Sequence, residues 1–271
     1  MLKTLITALA AMFLLTTASQ ANYHGFSAED YASFEILPGW RTENGTHMTA
    51  LRVTMKPGWK TYWRTPGDAG IPPRFDWTGS RNINDVKFHW PTPNVFYQSG
   101  MRSLGYSSEL VLPIELTPDQ VGQEIELRAD IELGVCQEIC IPVAVRIAAD
   151  LPATTGTDQR ISAALNERPS SARDADVRSA TCTSKPISDG VSLTVRVDIP
   201  SLSPDEIAVF ELPDQTIWVS EASMSREGRI LIAVADIVPP TAAPFVIDYS
   251  ELRITVLGSG RGVDIMGCQA G

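Results

Sequence analysis

The sequence predicts an all-β protein made of two β-sandwich domains in tandem. Three observations carry this expectation. Nineteen Gly and nineteen Pro cut the 271 residues into short segments, apolar residues recur mostly with period two, and no long amphipathic helical stretch intervenes. Apolar residues make up 44% and charged residues 20% of the chain, enough to build a core and to exclude wholesale disorder. The net charge is −10, from 22 basic and 32 acidic side chains. Nucleic acid and anionic lipid both need a cationic footprint, so neither is an expected partner.

Residues 1–21 read as a secretory signal peptide. Lys3 supplies the positive start, residues 5–15 the apolar run, and Ser19 and Ala21 the small residues at a cleavage site after Ala21. That run is too short to span a bilayer, which takes about 20 residues. No later segment approaches membrane length. The expectation is an exported protein in a compartment where disulfides persist.

The first domain is expected over residues 22–152. Residues 46–55 alternate and end in the turn Lys56-Pro57-Gly58. Residues 110–116 form a second strand-like run. Residues 124–133 alternate cleanly, with Ile125, Leu127, Ala129, Ile131 and Leu133 on one face and charged residues on the other, the pattern of a half-buried antiparallel strand. Residues 139–147 are β-branched, and Pro-punctuated loops occupy 65–73 and 90–93. A linker follows over 153–179, with a short helix over 158–166 capped by Thr157. Strand-like runs resume at 191–199, 207–212, 229–238, 245–249 and 252–257, so residues 180–271 read as the second sandwich.

The four cysteines fall into two pairs. Cys136 and Cys140 are four residues apart. A straight strand would separate them by about 13 Å, whereas a disulfide needs Cα atoms within about 7 Å. If they bond, the chain must turn between them, and the flanking strands point to a hairpin with the loop Gln137-Glu138-Ile139. So short a ring adds little stability, and an exposed hairpin tip suits exchange with another thiol. A small local staple and half of a metal site are the alternatives. The metal reading is weak because no His or second Cys pair stands at ligand spacing. Cys182 and Cys268 bracket the second domain, and a bridge there is expected to be structural, worth about 4–5 kcal/mol in the chain-entropy picture.

The stretch Gly58-Trp59-Lys60-Thr61-Tyr62-Trp63-Arg64-Thr65-Pro66-Gly67-Asp68-Ala69-Gly70-Ile71-Pro72-Pro73, with Trp90-Pro91, Leu104-Gly105-Tyr106, Leu112-Pro113 and Val135-Cys136-Gln137-Glu138-Ile139-Cys140-Ile141-Pro142, resembles the amino-terminal periplasmic domain of DsbD-type disulfide reductases. The nearest branch includes the copper-tolerance protein ScsB. The resemblance covers about residues 30–150 and implies an immunoglobulin-like fold for both the domain and, by its sandwich pattern, its neighbour. It implies a periplasmic carrier whose Cys136 and Cys140 cycle between dithiol and disulfide, without a cofactor. Electrons would come from a membrane-embedded DsbD- or ScsB-like donor or a thioredoxin-like donor, and pass to oxidised periplasmic thiol proteins. The chain lacks the family's membrane and thioredoxin-like parts, so the donor is expected to be separate. In better-known members the cysteines are more widely spaced and a phenylalanine loop caps the disulfide; Phe96 is the counterpart here. The competing reading is a binding module, for copper or a protein partner, with an inert first disulfide.

Glu138 between the cysteines and Glu132 before them disfavour thiolates, and no Lys, Arg or His stands near in sequence to oppose them. That predicts a carrier sluggish toward free thiols. Trp59, Tyr62, Trp63, Trp77 and Trp90 read as core more readily than as a carbohydrate platform. Asp68 is a candidate site carboxylate, with turn chemistry as the alternative. His24, His47 and His89 with Met48, Met55 and Met101 give only a faint copper pattern, and no metal ligand set is expected. Residues 258–262 carry glycines but no following helix, so they are not a phosphate loop.

Overall fold

The computed structural model describes residues 27–153 and 156–271; the expected signal peptide and His24 lie outside them. The first half contains β1 (Ala32–Arg41), β2 (His47–Met55), β3 (Lys60–Tyr62), β4 (Arg74–Asp76) and β5 (Asp85–Phe88). It continues with β6 (Asn94–Gln98), β7 (Met101–Ser107), β8 (Glu109–Thr117), β9 (Ile125–Cys136) and β10 (Cys140–Leu151). Strands β1-β2-β8-β5 make one sheet; β10-β9-β3-β7-β6 make the other, with β4 paired to β9. The inward residues Ile125, Leu127, Ala129, Ile131, Leu133 and Val135 of β9 are buried with Leu51, Val53, Leu112, Ile114 and Trp63 in one core. The period-two pattern thus places its apolar face where the two sheets meet.

The expected aromatic cluster serves this core. Phe75, Phe88, Trp90 and Tyr106 form a chain of ring contacts with centroids 4.5–6.5 Å apart, and Trp77 packs on Phe75 and Phe88. Trp63 is buried in the core, whereas Tyr62, expected there too, is buried on the outer face of the second sheet instead. His47 bonds to the Pro38 carbonyl, while His89 joins Glu115 and Arg168. The two histidines are therefore structural, and among the described residues no three of His, Cys, Asp and Glu gather to hold a metal.

Helix α1 (Gln159–Asn166) follows, but its cap is Asp158 rather than Thr157: the Asp158 side chain accepts from the Arg160 amide. The helix buries Ile161 against Leu37, Met48 and Ala50, on the outer face of the first sheet. The second half contains β11 (Ser170–Ser171), β12 (Ser179–Pro186), β13 (Val191–Asp198), β14 (Ile207–Glu211) and β15 (Trp218–Val219). Next come β16 (Ser223–Glu227), β17 (Ile230–Val238), β18 (Arg253–Gly258), β19 (Arg261–Met266) and β20 (Gln269–Ala270). These form the sheets β11-β19-β18-β14 and β15-β17-β13-β12-β20, with β16 on β17, around a second core that includes Leu193, Val195, Ile237 and Ile254.

One expected strand is absent. Residues 245–249 form no strand; Phe245, Ile247 and Tyr249 pack on the second core from an irregular segment whose Tyr249 carbonyl accepts from the Cys268 amide. The glycines at 258–262 close the β18–β19 hairpin, with Ser259 and Gly260 at positive φ of 51° and 71°, the conformation a two-residue hairpin turn demands. A disulfide joins Cys182 in β12 to Cys268 beside β20.

Two measurements test this packing. Burial holds His47 and His89 below the ordinary imidazole range, so the unfolded chain binds more protons. Stability contributed by the neutral rings is fully present above about pH 6.5, the unfolded-state value, and is lost progressively as pH falls below it toward the lowered folded-state values; urea midpoints should therefore drop between pH 7.5 and pH 5.5. The double variant Cys182→Ala/Cys268→Ala should lose about 4 kcal/mol in urea unfolding, with the loss confined to the second sandwich.

Candidate redox site

The ladder between β9 and β10 runs from Leu151 opposite Ile125 to Cys140 opposite Cys136. The two cysteines thus face each other at the neck of the hairpin, Cα atoms 4.1 Å apart and disulfide-bonded. Residues 137–139 form the exposed tip. Val135 points into the core, so Cys136 next to it points out of the sandwich, and its cross-strand partner Cys140 shares that outer face.

The pair is less open than an exposed tip implies. Cys136 is only 2% exposed, and Cys140 is partly exposed. The cover comes from distant segments. β3 pairs with β9, Lys60 opposite Cys136, and β7 lies on the other side of β3. Tyr62, on the same outer face, is buried and brings its hydroxyl to 2.9 Å from the Cys140 Sγ. A disulfide sulfur has no proton, so Tyr62 donates, sharing its proton with the Ala69 carbonyl at 3.4 Å. Burial raises the Tyr62 pKa, which keeps that proton in place.

The loop at residues 64–73 crosses over Tyr62. It fits because β9 carries Gly134 below it: a Cβ there would lie 2.7 Å from the Ile71 Cβ and 2.9 Å from the Tyr62 ring. Asp68 is exposed on this loop. On the other flank, the β6–β7 hairpin folds over β3. Lys60 Nζ lies 5.0 Å from the Phe96 ring centroid and bonds to Gln98 Oε1 at 3.3 Å and Ser103 Oγ at 3.4 Å. Gln98 also donates to the Gln137 carbonyl at 3.2 Å, tying the hairpin to the cysteine loop. Phe96 therefore meets Lys60, and the hairpin that carries it forms one rim of the site. Tyr97 and Ile139, 71% and 73% exposed, stand on the two tips that flank the disulfide, and Glu138 is exposed between the cysteines.

A hairpin disulfide on the outer face of a sandwich, with one sulfur half-open and its neighbour buried, can exchange with a thiol approaching from the tip. Residues 30–152 match the family described as thiol:disulfide interchange protein DsbD, N-terminal. This part of the chain is a DsbD-type amino-terminal domain. The fold of both sandwiches matches the crystal structure of the N-terminal periplasmic domain of ScsB from Proteus mirabilis, with 23% identity and a TM-score of 0.64, over 89% of this chain and 95% of that one. Comparison with curated proteins returned no match. Among the described residues no helix is long and apolar enough to cross a membrane.

The DsbD-type domain and the second sandwich share a polar clamp. Arg64 Nε and Nη2 donate to both Glu211 carboxylate oxygens at 2.8 and 2.9 Å, and Thr65 Oγ1 donates to the same carboxylate at 2.7 Å. The Arg64 guanidinium also stacks 3.9 Å above the Trp63 ring. Both side chains of the pair are largely buried, 14% and 16% exposed. Arg64 and Thr65 begin the covering loop, so its first residues are anchored on the neighbouring domain. Nothing in the local sequence signals this: Glu211 is 147 positions away.

The narrow seat under the loop makes Gly134→Ala a direct test. The added methyl overpacks against Ile71 and Tyr62 and should cost about 1–3 kcal/mol of stability. It should also lift the loop, which faster alkylation of Cys140 in the reduced protein would report.

Proposed function

We propose that this protein is a periplasmic thiol–disulfide exchange protein in which Cys136 and Cys140 are the redox pair. The observation that carries the reading is their unequal exposure within one short hairpin. Cys140, partly exposed beside the tip, is the sulfur that an incoming thiolate attacks. A bond forms between the partner's sulfur and Cys140 Sγ, the Cys136–Cys140 bond breaks, and its electron pair leaves on Cys136. A second partner thiol then resolves the mixed disulfide, so the partner gains a disulfide and this pair becomes a dithiol. The reverse sequence hands the electrons to an oxidised partner.

Tyr62 fits this cycle as a neutral donor to Cys140. Its hydroxyl proton stabilises negative charge on that sulfur when the mixed disulfide is resolved. The donor is a membrane-embedded DsbD- or ScsB-like protein or a thioredoxin-like module, and the acceptors are oxidised periplasmic thiol proteins. Ile139, exposed in the loop between the two cysteines, offers apolar contact next to the reacting sulfur. The Cys182–Cys268 bridge also pairs a buried cysteine with a partly buried one, but it spans 86 residues instead of lying at a hairpin tip, and it is assigned a structural role.

The reduction potential of Cys136–Cys140 in the full chain decides the matter, read by thiol trapping and peptide mass spectrometry across glutathione ratios. The expected value lies near −200 mV, the range of exchange proteins, and a pair still oxidised below about −300 mV is a structural staple. In single-cysteine variants, Cys136→Ser should accumulate a mixed disulfide through Cys140 with a thioredoxin-like protein. Cys140→Ser should form it at least tenfold more slowly, because access decides the rate.

A further inference from the structure

Exchange at Cys140 leaves an electron pair on Cys136, and Cys136 is buried on a face whose sequence neighbours are acidic. A thiolate there needs a counter-charge, because burial disfavours the charged form of a thiol. We infer that Lys60 supplies it: the β6–β7 hairpin holds the Lys60 ammonium on the face of Cys136, where it stabilises the leaving thiolate. This inference rests on the exchange reading above.

The register sets the geometry. Lys60 stands directly opposite Cys136 on the neighbouring strand, and directly opposed residues keep their Cβ atoms about 4.5–5.5 Å apart on one face. The Lys60 stem could swing into solvent, but three contacts keep its head at the site: Gln98 Oε1, Ser103 Oγ and the face of Phe96. None of the three is an anion, and among the described residues no carboxylate forms an ion pair with this ammonium. Gln98 in turn holds the carbonyl of Gln137, the residue after Cys136. One side chain therefore couples the position of the ammonium to the position of the cysteine loop. Partial burial lowers the Lys60 pKa, as expected for a cation short of solvation that gains from a nearby anion.

The other groups near the pair are known and mostly oppose it. Tyr62 from β3 is neutral; Glu138 at the tip, Glu132 along β9 and Asp68 on the covering loop are acidic; Arg74 stands opposite Glu132, away from the cysteines. On this face β6 and β7 bring Asn94, Phe96, Gln98, Met101, Ser103 and Ser107, all uncharged. Lys60 is the cation placed opposite Cys136 itself. When the disulfide opens, the partner's sulfur bonds to Cys140, the pair of electrons stays on Cys136, and Lys60 keeps its proton.

The test uses the full chain, reduced with dithiothreitol, and reads Cys136 alone by peptide mass spectrometry as iodoacetamide alkylates it between pH 6 and pH 10. Lys60→Met keeps the stem against Phe96 and removes the charge; Lys60→Arg restores a charge. The Cys136 thiol should titrate about one unit higher in Lys60→Met than in the wild type, and Lys60→Arg should stay near the wild type. Opening of the disulfide by dithiothreitol at pH 7 should slow about threefold to tenfold in Lys60→Met. Equal titration curves for wild type and Lys60→Met overturn the inference, as does a Lys60→Arg that behaves like Lys60→Met. If Lys60→Met does not fold, the wild-type curve decides: a Cys136 thiol at or above the ordinary value of about 8.5 overturns it, and one below supports it. The reduction potential reports on exchange itself, so failure of the exchange reading and failure of the Lys60 assignment show in different measurements.

Discussion

The register between β9 and β10 is the constraint on which the rest depends. Twelve cross-strand pairs, from Ile125–Leu151 to Cys136–Cys140, lock apolar side chains of β9 into the core and leave the cysteines outside it. The strand period is two, so a slip of one residue would turn the entire apolar set of β9 toward solvent and Cys136 toward the core. The cost of exposing those side chains is what holds the two sulfurs opposite each other. The disulfide follows the ladder; it does not have to create it.

The same outer face is built to be covered. Gly134 leaves room for Tyr62 and Ile71, and the loop at residues 64–73 uses that room to cross above β9. The loop is anchored at its start by Arg64 and Thr65 on Glu211, and Arg64 is pinned on Trp63. A largely buried bidentate pair is costly to break from one side, because the remaining charge is left without a partner. Ile207, Val209 and Leu257 of the second sandwich also join the core of the first. The second sandwich is thus packed against the segment that shelters the cysteines, and the covering loop has a firm end and a close-fitting middle.

Much of this was legible in the residues. Alternation at 124–133, the β-branched run after Cys140 and the three-residue spacing between the cysteines describe a hairpin before any coordinates are considered, because strand geometry leaves few other ways to join such segments. The run at 245–249 misled. Its apolar residues do reach a core, yet Pro244 and the turn at residues 248–251 keep the backbone out of a ladder, and burial alone does not make a strand. The helix at 159–166 was visible, but Thr157 and Asp158 are both good caps, and only the bond from Arg160 chooses between them.

The sequence by itself determined the all-β class, the alternation that tells inside from outside, and a cysteine pair on a tight hairpin, because each depends on residues close together in the chain. The tertiary structure alone decided how hidden Cys136 is, which hydroxyl meets Cys140 and which cation stands across from the pair. Lys60 and Tyr62 are more than 70 positions from the cysteines, and the two acidic neighbours in sequence gave the opposite picture of the charge around them. Pairing between distant strands sets that environment, and a ladder between segments far apart in the chain is fixed by the burial of whole sheets, which no local pattern encodes.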